Sequence, residues 1–202
     1  PKNKRVLILC KMSTWNCNTF WAQGGIATAV DESDIPAHIK DTLTAGVDYN
    51  DKEAVELLSK KSITAIKNLI DAGMKFDKNE EGKLSFTKEA AHSRNRILHA
   101  DGDATGRIMH LFLLEQCEHA IVTESVVCDL LIKDDICYGV QYFISETEQK
   151  VAFAHTTIIA SGGVGSIYRY HTNSTANAGE VQGIIAEKNL PLKDMEMMQF
   201  HP

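Results

Sequence analysis

The stretch Thr156-Thr157-Ile158-Ile159-Ala160-Ser161-Gly162-Gly163 sets two glycines directly after an apolar, β-branched run. A looser version occurs near the start, where Arg5-Val-Leu-Ile-Leu-Cys10 leads through a polar loop, residues 11–18, to Ala22-Gln23-Gly24-Gly25-Ile26. The first run is short, apolar and bounded by basic residues, as a strand buried in a parallel sheet would be. In doubly wound sheets, ligands sit at the carboxyl ends of strands, and glycines there let backbone approach a guest closely. A phosphate or dinucleotide is the natural guest. Neither loop matches GxGxxG, so the pattern alone assigns no nucleotide class.

Working outward, residues 37–47 and 51–72 predict two helices. Val55, Leu58, Ile63, Ile66, Leu69 and Ile70 form the apolar stripe of the second, and Gly73 stops it. Residues 77–88 read as a loop or short hairpin, and residues 106–118 as a helix. Strands are expected over 122–132 and 136–144 around an Asp134-Asp135 turn, then over 149–153 and 156–160, with a helix over 179–188. Strand, helices, meander, strand, helix is an α/β order with an inserted antiparallel sheet.

Composition narrows the class. The 202 residues are 44% hydrophobic, enough to bury a core, and a net charge of -6 argues against nucleic acid or an acidic membrane as partner. No apolar run approaches the ~20 residues of a membrane span, and no signal peptide opens the chain. The cysteines at 10, 17, 117, 128 and 137 form no CxxC pair, so neither a disulfide framework nor a zinc site is expected, and a cytoplasmic setting is. The chain opens without Met and ends on Gln199-Phe200-His201-Pro202 without a cap or polar tail, which reads as an internal segment of a longer protein.

The densest chemistry lies between Glu89 and Arg107, with His92, Arg94, Arg96, His99, Asp101 and Asp103 in one run. Interleaved arginines oppose a divalent cation, so metal ligation is set aside. Two readings stay open: Arg and His converging with one Glu on a small anionic substrate, or surface ion pairs. Nucleophilic catalysis finds no support, since Gly-x-Ser-x-Gly is absent and each Cys lies in or beside an apolar stretch.

Four motifs in order carry a resemblance: Asn18-Thr-Phe-Trp-Ala-Gln-Gly-Gly-Ile26, His92-Ser-Arg-Asn-Arg-Ile-Leu-His-Ala100 with Asp103-Ala-Thr-Gly106, Ile159-Ala-Ser-Gly-Gly163, and Met195-Glu-Met-Met-Gln-Phe-His-Pro202. Together, over nearly the whole chain, they resemble the L-aspartate oxidases of the succinate dehydrogenase and fumarate reductase flavoprotein superfamily. The resemblance implies a Rossmann-like FAD-binding domain, α/β with an inserted antiparallel β-meander, missing its first βα unit and the capping domain. Residues 1–198 would be a partial FAD-binding domain and 199–202 the start of the connection into the capping, substrate-binding domain. The family's flavin-contacting segment matches Lys11 and the run Asn18, Thr19, Phe20, Trp21, Ala22, Gln23, Gly24 and Gly25. Ser161, Gly162 and Glu180 match further cofactor contacts, and Val126 and Val127 a strand passing the adenine.

Glu89 matches a glutamate that orients the substrate ammonium, and His201 the histidine that binds a substrate carboxylate. The implied reaction is oxidation of L-aspartate to iminoaspartate by hydride transfer to flavin N5, with oxygen or fumarate as acceptor. It is the first step of NAD synthesis and links functionally to quinolinate synthase. Three departures stand out: the family's Glu-Gly-Gly-His is Glu89-Ala90-Ala91-His92, its Gly-Asp-Gly is Gly179-Glu180-Val181, and its Ala-Thr-Gly-Gly is Ala160-Ser161-Gly162-Gly163. The nearest alternative is a respiratory succinate dehydrogenase or fumarate reductase flavoprotein subunit. Those subunits carry a covalently flavinylated histidine where Asn18 stands and glutamine where Glu89 stands, so noncovalent FAD and an amine-bearing substrate are expected. A non-catalytic flavin-domain fragment is the other alternative, and the 202-residue chain alone is expected to hold FAD poorly and turn nothing over.

Overall fold

The computed structural model, which describes residues 4–199, runs β1 (Leu7–Leu9), α1 (Asn18–Trp21), β2 (Ile26–Ala27), α2 (Ile35–Ala45), α3 (Lys52–Asp71), β3 (Phe86–Thr87), β4 (Ile97–Leu98), α4 (Thr105–Glu115), β5 (Ala120–Val122), β6 (Val126–Lys133), β7 (Ile136–Phe143), β8 (Gln149–Phe153) and α5 (Glu180–Glu187). These elements form two units, one of residues up to 18 together with those from 117 onward, the other of residues 19–116. Among the described residues, no helix is long and apolar enough to cross a membrane.

In the first unit β1 pairs in parallel with β5, Leu7 opposite Ala120 and Leu9 opposite Val122. The strand expected over 122–132 is broken in two. Glu124 takes a left-handed φ of 51°, and Ser125 turns its N–H and its hydroxyl to the Cys10 carbonyl, which removes them from any ladder. The expected meander forms as β6-β7-β8, all antiparallel. Asp134 and Asp135 both have positive φ (51° and 59°), the two-residue turn whose twist matches that of the flanking strands. Leu130 and Tyr142 of this sheet and Ile184 of α5 are buried. Lys188, just after α5, donates to the Asp129 carboxylate of β6 at 2.7 Å.

The strand expected over 156–160 does not form. A strand needs a neighbour to take its N–H and C=O groups. Among the described residues none lies alongside, and Ile158 is 84% exposed.

In the second unit β4 is the centre of a three-stranded antiparallel sheet, with Leu98 opposite both Ile26 and Phe86. The short hairpin expected over 77–88 is present as the Lys78–Leu84 bridge running into β3. Helix α3 starts where the Asp51 carboxylate accepts the N–H of Ala54 at 3.1 Å. It ends as Gly73 was expected to end it: Gly73 N–H returns to Ile70 O and Met74 N–H to Leu69 O, both at 2.9 Å, with Gly73 at φ +107°.

The buried face of α3 differs from the expected stripe. Val55, Ser59 and Ile66 are buried, whereas Leu58 is 63% exposed. The stripe runs through two serines: Ser62 Oγ takes the N–H of Ala29 and donates to the Ser59 carbonyl, whereas the buried Ser59 hydroxyl has no partner among the described residues. Ile66, Met74, Phe76, Leu98 and Ala100 make the core of this unit, with Ile108, Met109 and Phe112 of α4 packed on it. Helix α4 is shorter than the expected 106–118 span, ending at Glu115.

Candidate functional site

The first unit collects five of the residues expected to hold a cofactor. Lys11 donates to the Ala176 carbonyl at 3.2 Å and forms an ion pair with Glu180 at the first turn of α5. Burial would raise the Glu180 carboxyl, but the Lys11 hydrogen bond holds it below its ordinary value. Asn18 Nδ2 donates to Asn173 Oδ1 at 2.9 Å, and Asn18 Oδ1 accepts the N–H of Ser174 at 2.6 Å. Ser174 Oγ donates to Asn16, which closes a polar clasp between residues 11–18 and 173–180.

Gly162 sits at φ +75°, a left-handed conformation, and a Cβ there would lie 2.9 Å from the Asn177 amide; its carbonyl accepts from Gln182 at 2.6 Å. A Cβ at Gly163 would meet nothing within 4 Å, and among the described residues nothing takes the N–H of Ser161, Gly162 or Gly163. Three consecutive backbone donors are therefore left without a partner among the described residues. Val126 is partly exposed at the start of β6 and Val127 half-buried beside it. Cys10 lies close by, but burial and then the neighbouring Cys17 push its thiol up, away from nucleophilic use.

The second unit places the rest of the glycine run. Gly106 sits in the first turn of α4, and a Cβ there would come within 2.0 Å of the Thr19 carbonyl oxygen and 2.7 Å of that of Ala22. Only glycine allows that approach, and Gly106 N–H donates to Ala22 O at 3.0 Å. The Asp103-Ala-Thr-Gly106 motif is thus the bed on which residues 19–22 lie, and Thr105 completes it by accepting the Ala100 N–H with its buried hydroxyl. The Phe20 ring stands edge-on to His110, at 5.8 Å between centroids, while Trp21, Ala22, Gln23 and Gly24 are exposed. A Cβ at Gly24 would meet nothing, and its N–H has no partner among the described residues. Gly25 packs its backbone against Ile97 and Leu98 of β4.

Next to this run lies a hollow of about 360 Å³ lined by Gln23, Asp77, Ser85, Thr87, His99 and Asp103. Asp77 accepts the N–H groups of Asp101 and Gly102, at 2.9 and 3.0 Å. His99 is held between the Gly102 carbonyl at 3.2 Å and the Thr87 hydroxyl at 2.9 Å. A carbonyl only accepts, so Nδ1 carries a proton that it donates to Gly102 O.

Glu89 stands on the β3–β4 connection, exposed, in a turn closed by His92 N–H to Glu89 O at 3.0 Å. Its carboxylate has no partner among the described residues. Of the two readings open for the neighbouring cations, neither fits Arg96, which points inward and is 0% exposed. Its Nε and Nη2 grip Asp34 bidentately at 3.0 and 2.8 Å, Nη1 reaches Asp41, and a further bond meets His92 Nδ1 at 3.3 Å. The Arg96 hydrogen bonds hold the Asp34 carboxyl below its ordinary value against burial. Arg96 is therefore withdrawn from the substrate-binding candidates, and Arg94, half-exposed, leans toward the same Asp34 at 3.7 Å. His38 is buried beside His92, and burial followed by the Arg96 charge pushes its pKa down, so it is neutral. His201 lies outside the described residues.

The residues not anticipated are Asn173 and Ser174, which clasp Asn18, and Asp34 and Asp41, which claim Arg96. A signal existed for the first pair, in the polar run from His171 to Gly179 between an apolar segment and a helix. Nothing in the local sequence pairs Asp34 or Asp41 with an arginine more than fifty positions away. Among the described residues no cluster of His, Cys, Asp and Glu could hold a metal.

The model of a family described as "FAD binding domain" matches residues 1–202. The L-aspartate oxidase of Clostridium acetobutylicum is 38% identical over 98% of this chain and 46% of its own length. That of Bacillus subtilis is 37% identical over 100% and 39%. The chain thus spans under half the length of these relatives. Among solved structures, E. coli quinol fumarate reductase FrdA, in a point-variant form, superposes with a TM-score of 0.90 over 99% of this chain and 35% of that one, at 24% identity, a likeness of fold.

Proposed function

Because the chain belongs to the FAD-binding-domain family and FAD is its cofactor, we propose that it is the flavin-holding part of an oxidoreductase that converts L-aspartate to iminoaspartate, with oxygen or fumarate as acceptor. When bound, FAD supplies the two-electron chemistry of that conversion. The residues fit such a guest. The N–H groups of Ser161, Gly162 and Gly163, without a partner among the described residues, are donors for a ligand rich in acceptors. Lys11 and Glu180 would serve the same guest from the polar clasp. The cofactor is held without a covalent bond, since the Asn18 amide is a poor nucleophile and both of its ends are already committed to Asn173 and Ser174.

The single observation that carries the substrate reading is Glu89: an exposed carboxylate, without a partner among the described residues, on a braced turn. Such a group can take an ammonium in a charge-assisted hydrogen bond and fix the substrate's α-carbon. The names of the relatives point to the same amino diacid. In this reading the imine is passed on to quinolinate synthase.

Anaerobic titration of the full-length protein with L-aspartate, then succinate, tests the proposal. Loss of the flavin band with L-aspartate and not with succinate is expected. Loss with succinate alone would replace this reading by a respiratory dicarboxylate flavoprotein.

A further inference from the structure

The connection that carries Glu89, residues 88–96, is held at its far end by directed polar bonds. Oδ2 of Asp41, on α2, accepts the Ser93 N–H and the Ser93 hydroxyl, both at 2.7 Å, and also a bond from Arg96 Nη1. Arg96 in turn reaches His92 Nδ1 at 3.3 Å and Ser93 Oγ at 3.4 Å, and its backbone N–H fixes Thr87 O at 2.9 Å. His92 and Ser93 therefore meet one guanidinium and one carboxylate, and the Arg96 backbone ties the two ends of the loop.

Packing alone does not call for these ions. Arg96 and Asp34 are 0% exposed, and Asp41 is 16% exposed. Removing charges from water is expensive, and well-packed apolar side chains of similar volume often stabilise as much or more. Apolar groups cannot, however, receive the Ser93 N–H and donate to the His92 ring, which is what fixes the path of residues 89–93.

Resting on the proposed role of Glu89, we propose that Asp41 is a positioning residue for substrate binding, acting through Ser93 and Arg96 to aim the Glu89 carboxylate at the substrate's ammonium. Fumarate has no ammonium, so its reduction does not need that aim.

The experiment uses the full-length, FAD-loaded protein with Ser93→Ala, Ser93→Thr, Asp41→Asn and Glu89→Gln. Ser93→Ala and Asp41→Asn should raise KM for L-aspartate about tenfold, the effect of losing a hydrogen bond to a charged group, with KM for fumarate unchanged. Ser93→Thr keeps the hydroxyl and restores the parent value. Amide exchange over residues 88–96, measured without substrate, should speed up by a similar factor in Ser93→Ala while exchange in α3 is unchanged. Equal loss with both substrates, or exchange rising throughout the unit, overturns the proposal in favour of a general brace. If Glu89→Gln raises KM for L-aspartate and Ser93→Ala does not, the positioning role is refuted while the Glu89 reading stands. If Glu89→Gln leaves that KM unchanged, the reading and the proposal fall together.

Discussion

Replacing Gly106 with alanine sets two effects of opposite sign against each other. In a helix interior, Gly to Ala gains up to ~1 kcal/mol from backbone entropy, and less in a first turn such as this one. Against it, the new Cβ would lie 2.0 Å from the Thr19 carbonyl oxygen and 2.8 Å from the Ala22 Cβ. Residues 19–22 must then withdraw by roughly 1 Å or more, since contacts below 3.0 Å are not tolerated. Such overpacking costs ~1–3 kcal/mol, and separating Gly106 N–H from Ala22 O loses about 1 kcal/mol more.

The steric terms win, and a net loss of ~1–3 kcal/mol is expected. The displaced segment is the one assigned to the cofactor, so FAD affinity should drop about tenfold in parallel, which for that loop is a movement worth ~1.4 kcal/mol. Urea unfolding of the full-length protein and equilibrium dialysis of FAD measure the two. A midpoint equal to or above the parent's, with unchanged FAD affinity, would refute the claim that this glycine exists for close approach.

Arg96→Met leaves Asp34 and Asp41 without their cation and should cost ~3–5 kcal/mol in urea unfolding; a loss below about 1 kcal/mol would mean the cluster is not buried as described. Both carboxyls have folded-state pKa values below their ordinary ones, so the stability they contribute is present at neutral pH and is lost as pH falls through and below the ordinary carboxyl range. Unfolding curves from pH 7 downward should therefore steepen their decline in that range for the parent and flatten in Arg96→Met. Acid precipitation should leave the flavin in the supernatant, because the position matched to a flavinylated histidine is Asn18; flavin pelleting with the protein would reverse that reading. The exposed Lys11–Glu180 pair should matter little to stability, under ~1 kcal/mol in Glu180→Gln, while flavin retention on gel filtration weakens; unchanged retention would remove Glu180 from the cofactor contacts.

The hydrophobic periods located α2, α3, β7 and β8 well, because long amphipathic runs and alternating strands write their burial into the sequence. Two kinds of miss have physical causes. The 156–160 run has the composition of a buried strand, but strand formation depends on a neighbour that composition cannot supply. The Ile97-Leu98 pair is the middle of a sheet that the sequence does not announce, since two residues are too few for any period to show. The candidate site was legible where backbone geometry demands a residue type, as at Gly106 and Gly162, and where a motif resemblance supplied positions. It was illegible where a side chain had to choose its direction.

Arg96 shows why that choice matters for the chemistry. The run from Glu89 to Arg107 contains enough positive charge to grip a dicarboxylate, and His92, Arg94, Arg96 and His99 are the candidates the sequence offers. Folded, Arg96 spends its guanidinium on Asp34, Asp41 and His92; Arg94 leans on Asp34; and His99 is held between Thr87 and Gly102. Of the groups without a partner on this loop among the described residues, Lys88 and Glu89, it is the Glu89 carboxylate that can take an ammonium. A site built from it selects the amine end of an amino diacid and would repel the carboxylate ends. Recognition of those ends then falls to donors elsewhere, of which His201 is the one the motif resemblance names. His201→Ala should accordingly weaken L-aspartate, succinate and fumarate alike, whereas Glu89→Gln should weaken L-aspartate alone. Competition by succinate against L-aspartate in each variant separates the two: succinate inhibition lost in Glu89→Gln would mean the carboxylates are held on this loop after all, and the assignment of Arg96 to the core would have to be abandoned.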